Sequence, residues 1–117
     1  MTAINLAQKL DSVDAPWSPK IVATYNDNDV MLARFEGEFV WHSHPDTDDF
    51  FLVVEGEIAI DLEDKTVTMG PGDLFVVPSG QQHRPRAISD HAAVLLIEPR
   101  GTPNTGDAAT AATKEAI

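Results

Sequence analysis

Cysteine is absent from all 117 residues, which excludes disulfide frameworks, thiolate zinc sites and cysteine nucleophiles. Basic residues are scarce: 8 Lys and Arg stand against 19 Asp and Glu, for a formal net charge of −11. A field of that sign repels phosphate backbones and anionic lipid, so nucleic acid and membrane surfaces are poor partners. No apolar run approaches the ~20 residues that span a bilayer. The opening MTAINLAQKLDSVDAP has neither the basic start nor the apolar core of a signal peptide. A soluble cytoplasmic protein is the expectation. Tyrosine occurs once, at Tyr25, so a mechanism that needs a tyrosine base would rest on that residue.

What is present suits one compact domain, with an apolar content of 43% sufficient for a globular core. Ala3, Leu6, Ala7, Leu10 and Val13 recur at helical spacing and predict one short amphipathic helix over 3–13. Pro16 and Pro19 then break the pattern. From Lys20 the chain reads as short strands separated by turn residues. KIVATY and VMLARF flank the turn NDND; FVWHSH, DFFLVVE, EIAIDLED, TVTM, LFVVP and AVLLIEP follow. Strands at this spacing predict an all-β sandwich or barrel. The runs Phe50–Val54 and Leu74–Val77 read as strands buried on both faces. After Pro99 the composition turns small and polar, which predicts a loop and a mobile tail. The organisation expected is helix and linker over 1–19, a barrel over 20–100 and a tail over 101–117.

The chemistry concentrates in FVWHSHPDTDDFF. Alternation along a strand sends Val40, His42 and His44 to one face and Phe39, Trp41 and Ser43 to the other, so two imidazoles can address one point. In the next strand Asp49 shares a face with Phe51 and Val53, and Asp48 with Phe50 and Leu52. One acid can join the histidines while the other meets solvent or caps the turn. His83 follows a strand and the turn Pro78-Ser79-Gly80, a path that brings it back beside the first pair. Three imidazoles and a carboxylate form a mixed N/O set, which suits Fe, Mn, Ni, Cu or Zn better than Mg or Ca.

These residues give the sequence its resemblance to a cupin. The first cupin motif is read as Gly37, four residues, His42-Ser43-His44, four residues, Asp49, six residues and Gly56. The second is read as Gly72, five residues, Pro78-Ser79-Gly80, two residues, His83, three residues and Ala87. The sequence departs from the family pattern in a shorter spacer after Gly37, in Ala87 for an asparagine and in Asp49 for a glutamate. The resemblance spans roughly residues 20–100. It implies a double-stranded β-helix, the jelly-roll cupin barrel, with a short N-terminal helix. It also implies one divalent transition metal held by His42, His44, Asp49 and His83, with Asp48 the alternative acid.

By the same resemblance the chain is expected to be a metal-dependent enzyme acting on a small molecule by oxygenase, isomerase or lyase chemistry. The alternative is a non-catalytic module that binds or senses a small molecule or metal. Fold and metal site do not choose between reactions. Arg84 and Arg86 are candidates for an anionic substrate at the barrel mouth, and Gln81 and Gln82 for substrate contact. His91 reads as surface. Trp41 is expected to pack outside the barrel, and the apolar face of Phe39 and Trp41 to pair two copies as a homodimer.

Overall fold

The computed structural model describes residues 2–117. Helix α1 covers only Leu6–Leu10, capped by the Asn5 side chain, which accepts from the Gln8 amide at 3.0 Å. That cap holds Asn5 in an extended conformation, so the predicted first residues lie outside the helix. At the other end Arg34 donates to the carbonyls of Leu10 and Val13, which have no partner within the helix. Leu10 and Val13 are buried and Leu6 is half-buried, whereas Ala3 and Ala7 of the predicted stripe are exposed.

Among the described residues nine strands follow: β1 Lys20–Tyr25, β2 Asn28–Phe35, β3 Asp49–Glu55, β4 Ile58–Leu62, β5 Thr66–Met69, β6 Leu74–Val77, β7 His83–Ala87, β8 Ala92–Pro99 and β9 Glu115–Ala116. One sheet has the order β6-β3-β8-β2-β1-β9, the other β5-β4-β7. They form the jelly-roll barrel that the sequence predicts. Asn26 takes up the left-handed conformation of the β1–β2 turn at φ 52°, which asparagine tolerates. Gly56 joins β3 to β4 at φ 77°, and a Cβ there would lie 2.4 Å from the His91 carbonyl oxygen. Only glycine fits that corner.

The main core lies between the sheets and includes Met31, Phe35, Phe51, Val53, Ile58, Ile60 and Val94. Truncating Ile60 or Met31 to alanine would cost about 2–5 kcal/mol, the range for cavities in a packed interior. A second cluster of Leu10, Val13, Val22, Leu32 and Ala93 seats α1 on the outer face of the larger sheet.

Three local expectations give way. FVWHSH is extended but joins β7 only through isolated bridges, Glu38 with Arg86 and His42 with His83. Between these bridges the Phe39 amide donates to the Pro85 carbonyl at 2.9 Å, and Pro85 has no N–H to return the bond. Alternation is lost there: Val40 and Trp41 are both exposed, and Phe39 turns inward to stack on Trp17 at 4.7 Å. Neither long apolar strand is buried on both faces. β3 alternates between buried and half-buried residues, and edge strand β6 exposes Leu74 and Val76. The stretch after Pro99 also carries pairing that its composition does not signal. Asn104 bridges the Trp17 carbonyl and the Ala112 amide, and β9 pairs in parallel with β1.

Candidate metal centre

His42 and His44 lie on the extended segment before β3, Asp49 opens β3, and His83 opens β7. All four are buried, and one ligand atom from each lies within 4.8 Å of the others. Ligands at about 2.0–2.2 Å from one ion stand at most about 4.4 Å apart, so closing on an ion needs a contraction of only a few tenths of an ångström.

Backbone carbonyls orient two of the rings. His42 Nδ1 lies 2.9 Å from the Val40 carbonyl oxygen, and His83 Nδ1 lies 2.8 Å from that of Gln81. A carbonyl only accepts, so each Nδ1 carries the proton and each Nε2 presents a lone pair to the barrel interior. His83 Nε2 meets Asp49 Oδ2 at 2.9 Å, and His44 Nε2 meets the same oxygen at 3.2 Å. With a neutral His83, two lone pairs would face each other; a second ring proton or a cation between them removes the conflict. The His44–Asp49 approach makes no hydrogen bond, so His44 Nε2 and Asp49 Oδ1 are both buried without a hydrogen-bond partner, which is costly unless a ligand satisfies them. The residues present therefore fit a divalent metal.

Electrostatics prepare the same set. Burial, with His83 and His44 adding their charges, pushes the His42 pKa down to about 4. The ring is thus neutral, as a ligand must be, well below pH 7. Burial works to raise the pKa of Asp49, but contacts from His44 and His83 outweigh it and hold the carboxyl below its usual range. Asp48, the alternative acid, is exposed and accepts from the Ser79 amide at 2.9 Å, which fastens a turn rather than joining the cluster.

Glu98 is the interior residue that the sequence reading misses. It is buried beside Asp49, and burial followed by the negative charge of Asp49 raises its pKa to about 8. Its parity with Ala92, Val94 and Leu96 in β8 was the available signal. Lys114 lies 3.4 Å from its carboxylate. Trp17 is also missed. It sits at φ 57°, an outlier for a bulky residue, and stacks on Phe35 at 4.3 Å. Trp17, Phe39, His42, Asp49, Glu98 and Asn104 border a cavity of about 30 Å³ next to the ligands.

None of the remaining candidates adds a side chain to the cluster. Arg84 and Arg86 donate to Asp61 at 2.8–3.0 Å, so they serve an ion pair on the outer side of the smaller sheet and not the barrel mouth. Arg84 also covers the exposed ring of Trp41 at 5.4 Å. Gln82 donates to the Ser43 hydroxyl at 3.2 Å, and Gln81 contributes the carbonyl that orients His83. Tyr25 and His91 are exposed.

Fold and donor set together define a small single-barrel protein with a buried cluster of three histidines and an aspartate. The family model for the cupin domain matches residues 30–98, and the chain belongs to that family. It is 45% identical over 67 residues to the uncharacterized protein YdbB of Bacillus subtilis (strain 168), a match that covers 56% of this chain and 59% of YdbB. The chain thus matches less than two thirds of that relative's length. Among solved structures, a cupin-2 domain containing protein from Shewanella frigidimarina NCIMB 400 superposes with a TM-score of 0.81 at 40% identity, covering 84% of this chain and 95% of that one. Protein NMB1881 from Neisseria meningitidis gives a TM-score of 0.75 at 32% identity, covering 84% and 99%. Among the described residues no helix is long and apolar enough to cross a membrane.

Proposed function

We propose that the chain is a metal-dependent enzyme acting on a small molecule, with one divalent transition metal held by His42, His44, Asp49 and His83. The observation that carries this reading is the buried cluster with two unsatisfied polar atoms, His44 Nε2 and Asp49 Oδ1. A divalent ion answers both. When bound, such an ion supplies Lewis acidity and open coordination positions for a ligand. The chain itself supplies a neutral His42 imidazole, the rings of His42 and His83 fixed by carbonyls, a charged Asp49, and in Glu98 a carboxyl that holds its proton near pH 7 beside them. Trp17 and Phe39 limit water in the adjoining cavity. The test is metal analysis of the purified protein. One equivalent of a first-row divalent ion per chain is expected, falling below one tenth in His42→Ala and His83→Ala; a metal-free protein that takes up no such ion on dialysis would end this reading.

We also propose that the protein pairs with a second copy, though through a different face from Phe39 and Trp41. Strand register aligns Val76, Phe50, Ile97 and Val30 in one row on the outer face of the larger sheet, and Leu74, Leu52 and Leu95 in the next. Leu74 and Val76 are 53% and 39% exposed. Helix α1 covers only the far end of this face. An uncharged surface is also where two chains of −11 each can meet with least repulsion.

A further inference from the structure

A groove of about 400 Å³ runs between the loop after His44 and the loop after β8, lined by the buried His44 and the exposed Arg100. Its volume is in the range of small-molecule sites, whereas the cavity of about 30 Å³ beside Trp17 has room for about one water. Three prolines, Pro45, Pro99 and Pro103, line it and give it stiff, apolar walls. The Arg100 amide donates to the Asp27 carbonyl at 2.9 Å, and the turn beyond is closed by Thr102 donating to the Pro99 carbonyl. The groove is therefore built before a ligand arrives.

Arg100 stands out among the cations. Arg34 is held by two carbonyls, Arg84 and Arg86 by Asp61, Lys20 by Glu115 and Lys114 by Glu98. Among the described residues, Lys9, Lys65 and Arg100 are left without such a partner, and of these three Arg100 lines the groove. Asp46 on the facing loop lines it too, yet lies beyond ion-pair distance. In a chain with 19 acids, an unpaired guanidinium at the entrance is the one local feature that offsets repulsion of an anion. His44, which lines the groove, is 3% exposed, and its Nε2 turns to the cluster, 3.2 Å from Asp49 Oδ2.

We propose that this groove admits a small organic acid, one carboxylate held by the Arg100 guanidinium and the opposite end reaching the metal centre at His44. A guanidinium presents a planar fork that matches a carboxylate. The proposal rests on the metal-dependent reading and adds to it the class of ligand and the residue that selects it.

The test titrates nickel-loaded protein with malonate, succinate and glutarate, and with their neutral diamides, by calorimetry, with nickel content measured for each variant. At least one of the acids should bind, its diamide at least ten-fold more weakly. Arg100→Gln should lose about ten-fold in affinity for the acid with nickel content unchanged, and Arg100→Lys should keep part of it. No binding of any of the three acids, equal binding of acid and diamide, or an Arg100→Gln variant that binds like wild type would overturn the proposal and leave the metal reading standing. If the chain takes up no metal, that reading fails, and the same titration followed at the Arg100 Nε–H resonance of metal-free protein still decides whether the groove holds an acid.

Discussion

His42 and His83 exchange two backbone hydrogen bonds, at 3.0 and 2.9 Å, across forty-one residues of sequence. Their rings stand 4.3 Å apart. The backbone thus fixes the spacing of these two candidate ligands by itself. An ion that binds only the folded chain should raise its stability by about 2.7 kcal/mol at roughly 100 times its dissociation constant, equivalent to roughly 10 °C in Tm. Differential scanning calorimetry with manganese, nickel and zinc should show that shift in wild type and its loss in His83→Ala. No shift with any of these ions in wild type would count against a metal centre.

Stability of the metal-free protein should depend on pH in two opposed ways. The folded pKa of His42 is depressed to about 4, so the stability it contributes is complete above pH 6.5 and lost as pH falls towards 4. Glu98 is raised to about 8, so its contribution is complete below the ordinary carboxylate range and lost as pH rises through 8. Urea titrations from pH 4 to 9 should show a maximum between these limits. His42→Gln should flatten the acid side and Glu98→Gln the alkaline side; a variant with the wild-type slope would clear that residue of the effect.

Asp61 makes a prediction outside the barrel. Although burial works to raise it, hydrogen bonds from Arg86, Arg84 and Thr66 bring its pKa to about 2. The stability it provides is present above about pH 4 and lost as pH falls towards 2. Asp61→Asn should cost about 1 kcal/mol at neutral pH, through weakened bonds to both arginines and the loss of Arg86's ion pair, while Arg84 keeps Glu38 at 3.0 Å. Denaturant unfolding measures the cost, and metal content should stay at the wild-type level because Asp61 faces away from the cluster.

The apolar rows on the outer sheet face predict a dimer that a single charge can divide. Wild type should sediment as a dimer at micromolar concentration and Val76→Asp as a folded monomer. A monomeric wild type would remove the interface, while a dimer that survives Val76→Asp would place it elsewhere.

Legibility in the sequence followed the range of the interactions. The convergence of His42, His44, Asp49 and His83 could be read because each motif fixes side-chain spacing within a short segment, and the glycine at position 56 reports a backbone angle that other residues avoid. Phe39 escaped, because the alternation rule assumes a regular ladder and Pro85 interrupts it from a distant segment. Leu74 and Val76 look like interior residues until the strand order puts them at an edge. Asn104 and Lys114 were the least readable. They belong to a stretch without periodicity, and their contacts with Trp17 and Glu98 depend on where the whole barrel leaves its rim.

The contact between Asp49 and His83 also has a mechanical consequence. Asp49 belongs to the six-stranded sheet and His83 to the three-stranded one, so a ring proton or a cation held in their 2.9 Å approach rivets the two halves of the barrel together at one point. Amide protons of β3 and β7 should therefore exchange with solvent in a single opening event. Where that rivet is withdrawn, the smaller sheet becomes free to breathe by itself.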